Sequence, residues 1–354
     1  MLTLLEARNF RCLDHVRLEP HPHLNLIEGR NASGKTSLLE AIFILGRGRS
    51  FRTARASAVV QDGTDGFTVF GRIEENERSQ AIGVQFAGGK TIGRIAGENI
   101  DSLAQLAEAL PVQVVDPEVH DLVEEGPGER RRFLDWGVFH VEPRFLEVWR
   151  QYQRGLRQRN AGLRQGLTPD ALSVWEQQMI AAALEVDRMR RAYLDLLVPV
   201  VEAMGERLLE TALTVKYQPG WPVAKEYAQA LNDNRARDSE LGSTSVGPHR
   251  ANVVLQLDNR TARSRASRGQ QKLLGAALVL AQFQLLQQEE GRGGVMLLDD
   301  PSAELDKYSL ERFLSAARAL GIQLFVTALN PKMLPIDDWP ATFHVEQGKV
   351  HKVL

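Results

Sequence analysis

The chain has one cysteine, Cys12, among 354 residues, so no disulfide can close within it and packing must hold the fold. No apolar run comes near the roughly 18 residues that a membrane span requires. The first residues carry Glu6, Arg8 and Arg11, which leaves no uninterrupted apolar stretch for a signal peptide. These three absences together point to a reducing, cytoplasmic setting. Charge of one sign is lacking as well. With 43 basic and 45 acidic side chains the net charge is −2, so any attraction to nucleic acid has to come from local patches. The eight histidines show no metal-ligand spacing, and with a single thiol this argues against structural zinc. There is no internal repeat and no low-complexity tract. What is present is ordinary globular composition, 43% hydrophobic and 25% charged, long enough for a large core split over two lobes.

One stretch stands out from this background. Gly29-Arg30-Asn31-Ala32-Ser33-Gly34-Lys35-Thr36 matches G-x-x-x-x-G-K-[ST], the phosphate-binding P-loop. Leu24, Leu26 and Ile27 read as a short apolar strand before it, and Ser37 to Phe43 as an apolar-faced helix after it. A strand, a glycine turn and a helix start bring several backbone N–H groups around one point, and those donors with the positive helix end suit a polyphosphate. Lys35 is expected to reach the β- and γ-phosphates, and the Thr36 hydroxyl to hold Mg²⁺.

A P-loop also needs a carboxylate at the tip of a neighbouring strand to hold that cation. Asp299-Asp300 directly follows the continuous apolar run Gly294 to Leu298, which reads as a buried parallel strand; the plainer alternative is a solvated turn after a strand. These acids come more than 260 residues after Lys35, a separation at odds with a compact P-loop kinase and one that implies a large insertion. Residues 129–212 supply the candidate: Gly and Pro become sparse there and apolar residues recur at helical spacing. Gln218-Pro219-Gly220-Trp221-Pro222 ends that texture.

The remaining pattern is mostly strand. Leu2 and Leu4, then Val16 and Leu18, suggest two strands around the turn Asn9-Phe10-Arg11. Three more are read at 67–73, 81–86 and 91–95, one at 253–257, one at 322–326 and a terminal hairpin at 342–345 with 350–353. Ser267-Arg268-Gly269-Gln270 leads into an apolar helix from Leu273 to Leu286. Ser267 and Gly269 at that helix start make either a second phosphate site, with nucleotide held between two subunits, or a simple helix N-cap.

Together these residues resemble the ABC-type ATPase heads of the SMC and RecF class, over nearly the whole chain. Ala32 departs from the class, which favours Gly there. Asn9-Phe10-Arg11 resembles its nucleotide-contacting N-terminal element, and Gly48-Arg49-Ser50-Phe51-Arg52 follows the P-loop helix as it does in RecF proteins. Pro117-Glu118, Gly126-Pro127 with Arg130 to Asp135, and Val246 to Arg250 resemble further RecF stretches, with Glu125 where Gly is frequent. Ser267 to Gln270 stands for the ABC signature, and Asp299 to Asp306 for the Walker B acid and D-loop. Gln113 either matches the Q-loop glutamine that reaches Mg²⁺ or is a polar residue on an ordinary strand.

The resemblance implies an α/β fold, an ATPase head with a mixed sheet and a helical second lobe. Residues 1–115 and 243–354 would form the ATP-binding lobe and residues 116–242 the helical insertion. It implies ATP and Mg²⁺ as cofactors, with Gly29, Arg30, Asn31, Ala32, Ser33, Gly34, Lys35, Thr36, Ser37 and Arg11 on the nucleotide of one subunit. Ser267, Gly269 and Gln270 would close it from the other, in an ATP-dependent homodimer. Thr36, Asp299 and Gln113 would serve the metal, and Asp300 and Lys35 the chemistry. Asp300 stands where transporters carry the Glu general base, so slow hydrolysis is expected, and Thr327-Ala328 occupies the region of their switch His. Action on single-stranded, double-stranded or gapped DNA, with RecO and RecR as partners in loading RecA, is implied by the resemblance alone.

Arginines mark where DNA would touch. Arg47, Arg49, Arg52 and Arg55 crowd one stretch without an acid, Arg150, Arg154, Arg157 and Arg164 fall near one helix face, and Arg130 to Arg132 make a third cluster. Each is equally a solvated face or a set of ion pairs. Trp136, Phe139, Trp149, Tyr152 and Trp175 read as core in preference to base-stacking platforms. The competing readings are a transporter's ATP-binding subunit, a P-loop metabolic enzyme and a nucleotide-gated clamp whose hydrolysis is incidental.

Overall fold

The computed structural model describes residues 1–75 and 78–353. The chain forms two compact units, Met1–Val119 with Gly275–Leu354, and His120–Leu274.

The first unit opens with the hairpin β1 (Leu2–Phe10) and β2 (Leu13–Leu18), then β3 (Leu24–Glu28) and α1 (Lys35–Arg47). Four antiparallel strands follow, β4 (Gly66–Glu75), β5 (Arg78–Ala87), β6 (Lys90–Ile95) and β7 (Glu98–Asn99), and then α2 (Ala104–Ala109) and β8 (Val112–Val115). The second unit holds α3 (Asp121–Glu124), α4 (Pro127–Val141), α5 (Phe145–Arg164), α6 (Pro169–Leu209), β9 (Leu213–Gln218), α7 (Tyr227–Asp233), α8 (Arg235–Leu241), β10 (Asn252–Leu257), β11 (Arg260–Thr261) and α9 (Ala262–Arg265). The long helix α10 (Arg268–Glu290) leads back to the first unit, which ends with β12 (Val295–Leu298), α11 (Pro301–Glu304), α12 (Lys307–Ala319), β13 (Gln323–Ala328), β14 (Thr342–Glu346) and β15 (Lys349–Lys352).

Two six-stranded sheets build the first unit. One is antiparallel, ordered β2-β1-β4-β5-β6-β7; the other is mixed, ordered β15-β14-β3-β13-β12-β8. Among the described residues of the mixed sheet, only β15 runs antiparallel to its neighbour. Every residue of β12 and β13 is buried, which is why β12 reads as an unbroken apolar run and β13 as an apolar strand interrupted only by Gln323 and Thr327. β4 instead alternates buried and accessible positions, the mark of a sheet with one covered face. α1 packs Leu38, Leu39, Ile42 and Leu45 into the core that also takes Leu5, Val69, Val84 and Phe325. A buried amide ties the two sheets: Gln323 accepts the Leu2 N–H at 2.8 Å and donates to the Leu2 carbonyl at 2.8 Å. A polar side chain survives at this depth because its hydrogen bonds are made.

The second unit is helical but also carries a three-stranded antiparallel sheet, β11-β10-β9. Its core includes a buried ion network in which Arg159 pairs with Glu176 and Asp238, both at 2.8 Å, and donates to Thr244. Arg190, also fully buried, forks onto Asp135 and lies over the Trp149 ring. The expected lobe boundaries need correction here. The first unit runs to Val119 instead of 115, and the second extends to Leu274 instead of 242. The reason for the second shift is strand pairing: β10 has its partner in β9 at the end of the helical segment, in a register from Asn252 opposite Gln218 to Leu257 opposite Leu213.

Candidate functional site

β3 points its C-terminal end at the loop that starts α1. A Cβ on Gly29, at φ 154°, would come within 2.3 Å of the Val345 carbonyl oxygen, and one on Gly34, at φ 115°, within 2.9 Å of Cys12 Sγ. Only glycine fits either place. Ala32 is left-handed too, at φ 60°, where an L side chain costs about 1–2 kcal/mol. Lys35 is buried, and its Nζ donates to the carbonyls of Gly29 at 2.8 Å and Arg30 at 3.0 Å. Burial lowers its pKa, with the charges of Asp300 and Asp299 opposing. Among the described residues the Ser33 hydroxyl, which is buried, finds no hydrogen-bond partner, and no side chain caps the first turn of α1. An orphan hydroxyl, an ammonium folded onto its own loop and the open N–H groups of a helix start all fit the oxygens of a polyphosphate.

The strand tips complete this pocket. Leu298 of β12 is level with Val115 of β8 and Val326 of β13, so the residues that follow, Asp116, Asp299 and Thr327, emerge at one edge of the sheet. The Thr36 hydroxyl lies 3.0 and 2.9 Å from the two carboxylate oxygens of Asp299, from which it is 263 residues distant in sequence. A hydroxyl and a carboxylate at that spacing suit Mg²⁺, which binds few protein oxygens and takes the rest from phosphate and water. Among the described residues no cluster of three or more His, Cys, Asp or Glu side chains can hold a metal by itself. Asp300 is left-handed at φ 46°, and its carboxylate receives the Ser302 hydroxyl at 3.3 Å. Asp116 was not singled out by its sequence. Burial, aided by the charges of Glu118 and Asp299, pushes its carboxyl up to about 6.

Gln113 has to be taken out of the metal site. It pairs in register with Met296 of β12, well short of the strand tip where Asp299 lies. Its Nε2 donates at 2.8 Å to Oε1 of Gln282. It is the polar strand residue of the alternative reading. Arg11, left-handed at φ 55°, belongs to a turn that touches the P-loop through Cys12, whose sulfur is 3.7 Å from the Ser37 hydroxyl. The Arg11 guanidinium itself is engaged with Glu40 and with the Ala58 carbonyl.

The arginine clusters divide. Arg49, Arg52 and Arg55 are exposed, whereas Arg47 is partly buried over the Phe43 ring, and burial lowers its guanidinium to about 10. Arg47 therefore packs as part of α1 and is corrected from the DNA-contact set. Arg150, Arg154 and Arg157 are exposed on α5. Arg130 and Arg131 are spent inside the second unit on Asn252 and the carbonyls of Glu125 and Ala251, and Arg132 on Glu129. Trp136 and Tyr152 are core residues.

Ser267, Gly269 and Gln270 are exposed at the start of α10. The Ser267 hydroxyl accepts the Gln270 N–H at 3.4 Å, and Gln270 Oε1 accepts the Ser267 N–H at 3.0 Å. This reciprocal capping box builds the helix start locally, whatever binds there.

Comparison with known proteins follows the same lines. The family model for the RecF/RecN/SMC N terminal domain matches residues 1–351. The chain is 40% identical over 353 residues to the DNA replication and repair protein RecF of Thioalkalivibrio sulfidiphilus, covering 98% of both chains. It is 41% identical to the protein of that name from Pseudomonas aeruginosa, covering 99% of this chain and 97% of the relative. Among solved structures it resembles the recombination mediator protein RecF-ATPrS in the RecFOR pathway, with a TM-score of 0.90, 26% identity and coverage of 100% and 98%. An Smc head bound to the C-winged helix domain of ScpA shares the fold, with a TM-score of 0.61 at 14% identity over 99% of this chain and 96% of that one.

Proposed function

Since the chain belongs to the RecF family of DNA replication and repair proteins, we propose that it is an ATP-dependent DNA-binding protein of recombinational repair and replication-fork maintenance. It works in the cytoplasm, forms an ATP-sandwiched homodimer on gapped DNA, and acts with RecO and RecR to promote RecA loading. The RecFOR pathway named for its structural relative supports the two partners. The observation that carries the reading is the meeting of the Thr36 hydroxyl with the Asp299 carboxylate at 2.9 Å. Sheet order brings these distant segments together, and what it brings together is a hydroxyl and a carboxylate of the kind a P-loop uses to hold Mg²⁺.

In this reading the P-loop backbone and Ser33 hold the β- and γ-phosphates, and Lys35 exchanges the Gly29 and Arg30 carbonyls for phosphate oxygens. Thr36 and Asp299 would hold Mg²⁺, which supplies charge neutralisation on the phosphates when bound. Asp300 orients the attacking water and takes its proton, and its short side chain makes turnover slow. The signature turn at Ser267 closes the nucleotide of the opposite subunit. Arg49, Arg52, Arg55, Arg150, Arg154 and Arg157 bind phosphate backbone without reading bases. The transporter alternative draws no support from the RecF relatives.

The test is gel filtration with ATP and a gapped duplex at two salt concentrations, for wild type, Lys35→Ala and Asp300→Asn. Wild type is expected to dimerise with ATP, Asp300→Asn to hold the dimer longer and Lys35→Ala to stay monomeric. Binding of the duplex should weaken steeply with salt. ATP-independent elution, or the same elution for all three proteins, would overturn the reading.

A further inference from the structure

Thr327, the fifth residue of β13, is fully buried beside two acids and has one hydroxyl to share. That hydroxyl accepts the backbone N–H of Asp300 at 2.8 Å. It lies 2.8 Å from Asp299 Oδ1 and 3.5 Å from the Leu298 carbonyl. A hydroxyl donates once, and the nearer, charged acceptor takes the proton. Thr327 therefore joins the two acids: it donates to the side chain of one and accepts from the backbone of the other. Both bonds have structural consequences. Asp299 is left with its other oxygen, Oδ2, at 2.9 Å from the Thr36 hydroxyl as that atom's nearer partner. Asp300 sits at φ 46°, ψ 52°, a left-handed conformation that is strained for a non-glycine residue and persists only where neighbours hold it.

We propose that Thr327 is a positioning residue for nucleotide hydrolysis, its hydroxyl fixing the orientation of Asp299 toward Thr36 and the left-handed turn that presents Asp300. The inference rests on the functional reading above. It assigns a task to a position where transporter-type heads would place a switch histidine. Thr327 works from inside the sheet on the acids and does not touch the phosphate.

Two substitutions separate the hydroxyl from the shape of the side chain. Thr327→Val keeps the branched volume and removes both hydrogen bonds; Thr327→Ser keeps the hydroxyl. Three quantities are measured on the full chain: ATP affinity in EDTA, the gain in that affinity on adding Mg²⁺, and the single-turnover hydrolysis rate. For Thr327→Val the affinity in EDTA should stay within about twofold, while the Mg²⁺ gain and the rate each fall by about 10- to 100-fold, the scale of one charge-assisted hydrogen bond. Thr327→Ser should recover both to within about threefold. A Thr327→Val protein with wild-type Mg²⁺ dependence and rate overturns the proposal, as does a Thr327→Ser protein no better than Val. If wild type itself fails to bind ATP, or binds it as well with Lys35→Ala, the functional reading falls and takes this inference with it. Normal wild-type binding with an indifferent Thr327→Val removes the inference alone.

Discussion

Arg11 sets its Nε and Nη2 against the two carboxylate oxygens of Glu40, at 2.9 and 2.8 Å, in a bidentate pair whose acid is fully buried. Glu40 also receives the Ser50 hydroxyl and lies 3.7 Å from Arg52. Ser50 in turn accepts the N–H groups of Arg52 and Thr53. One acid on the P-loop helix thus ties the turn beside the P-loop to the loop that carries the exposed arginines. Arg11→Ala would leave Glu40 buried with a single hydroxyl and a distant cation. A loss of about 2–4 kcal/mol is expected, slightly below a wholly buried pair because Arg11 is 23% exposed. Glu40→Gln should cost less, since an amide still accepts one of the bonds. Urea midpoints of the two variants decide the matter; equal, negligible shifts would show that the pair contributes nothing.

Ser267→Arg introduces a long cation at an exposed helix start where the hydroxyl accepts the Gln270 N–H. Loss of an N-cap costs about 1 kcal/mol, so the chain should still fold. ATP binding by the monomer should change little, while ATP-dependent dimerisation is lost. Sedimentation with ATP is the measurement, and a variant that still dimerises would sink the trans role of this turn.

His249 supplies a pH dependence with a definite sign. Its Nε2 donates to the Thr244 carbonyl at 3.0 Å and its Nδ1 accepts the Tyr152 hydroxyl at 2.5 Å, so the neutral ring is fully bonded and a proton has no place. Burial lowers its pKa to about 4. A folded-state value below the unfolded one near 6.5 gives stability that is present above about 6.5 and lost as pH falls toward 4. Between pH 7.5 and 5 the loss should be at most about 2 kcal/mol. His249→Gln should flatten that part of the profile, read as denaturant midpoints at the two pH values. An unchanged slope would mean that His249 titrates normally.

Asp116 has the opposite sign. Its folded-state pKa of about 6 lies above the ordinary 3.8, so its contribution to stability is present below about 3.8 and lost as pH rises through 6. Asp116→Asn should match wild type under acid conditions and exceed it at pH 8 by about 1–2 kcal/mol, discounted because the residue is partly exposed. Thermal melts of nucleotide-free protein at pH 3.5, below the window, and at pH 8, above it, check this. A variant with no advantage at pH 8 would show that Asp116 is adequately solvated.

Much of the first unit was legible in the sequence because its signals are local. Buried parallel strands such as Val295–Leu298 show as unbroken apolar runs, and the P-loop declares itself by its glycines. Strand β9 was not legible, since Leu213 to Gln218 lies at the end of a helical texture and its partner β10 is far away in sequence. Gln113 misled because a motif specifies residue type and neighbours, whereas its distance from the strand tip depends on the register between β8 and β12. Arg47 misled for a related reason. A run of arginines carries no sign of which member turns back onto an aromatic ring of its own helix.

The sequence by itself determined the chemistry at hand: a glycine loop with Lys35 and Thr36, an apolar strand tipped with Asp299 and Asp300, and a Ser-Gly turn before an apolar helix. Those are short-range facts of composition and period. The tertiary structure decided which of them meet. It placed Thr36 against Asp299, took Arg11 to Glu40, and put Thr327 and Asp116 beside the acids without any local signal for either. The reason is that strand order and register are set by the burial of whole sheets, and no residue's immediate neighbours in sequence carry that information.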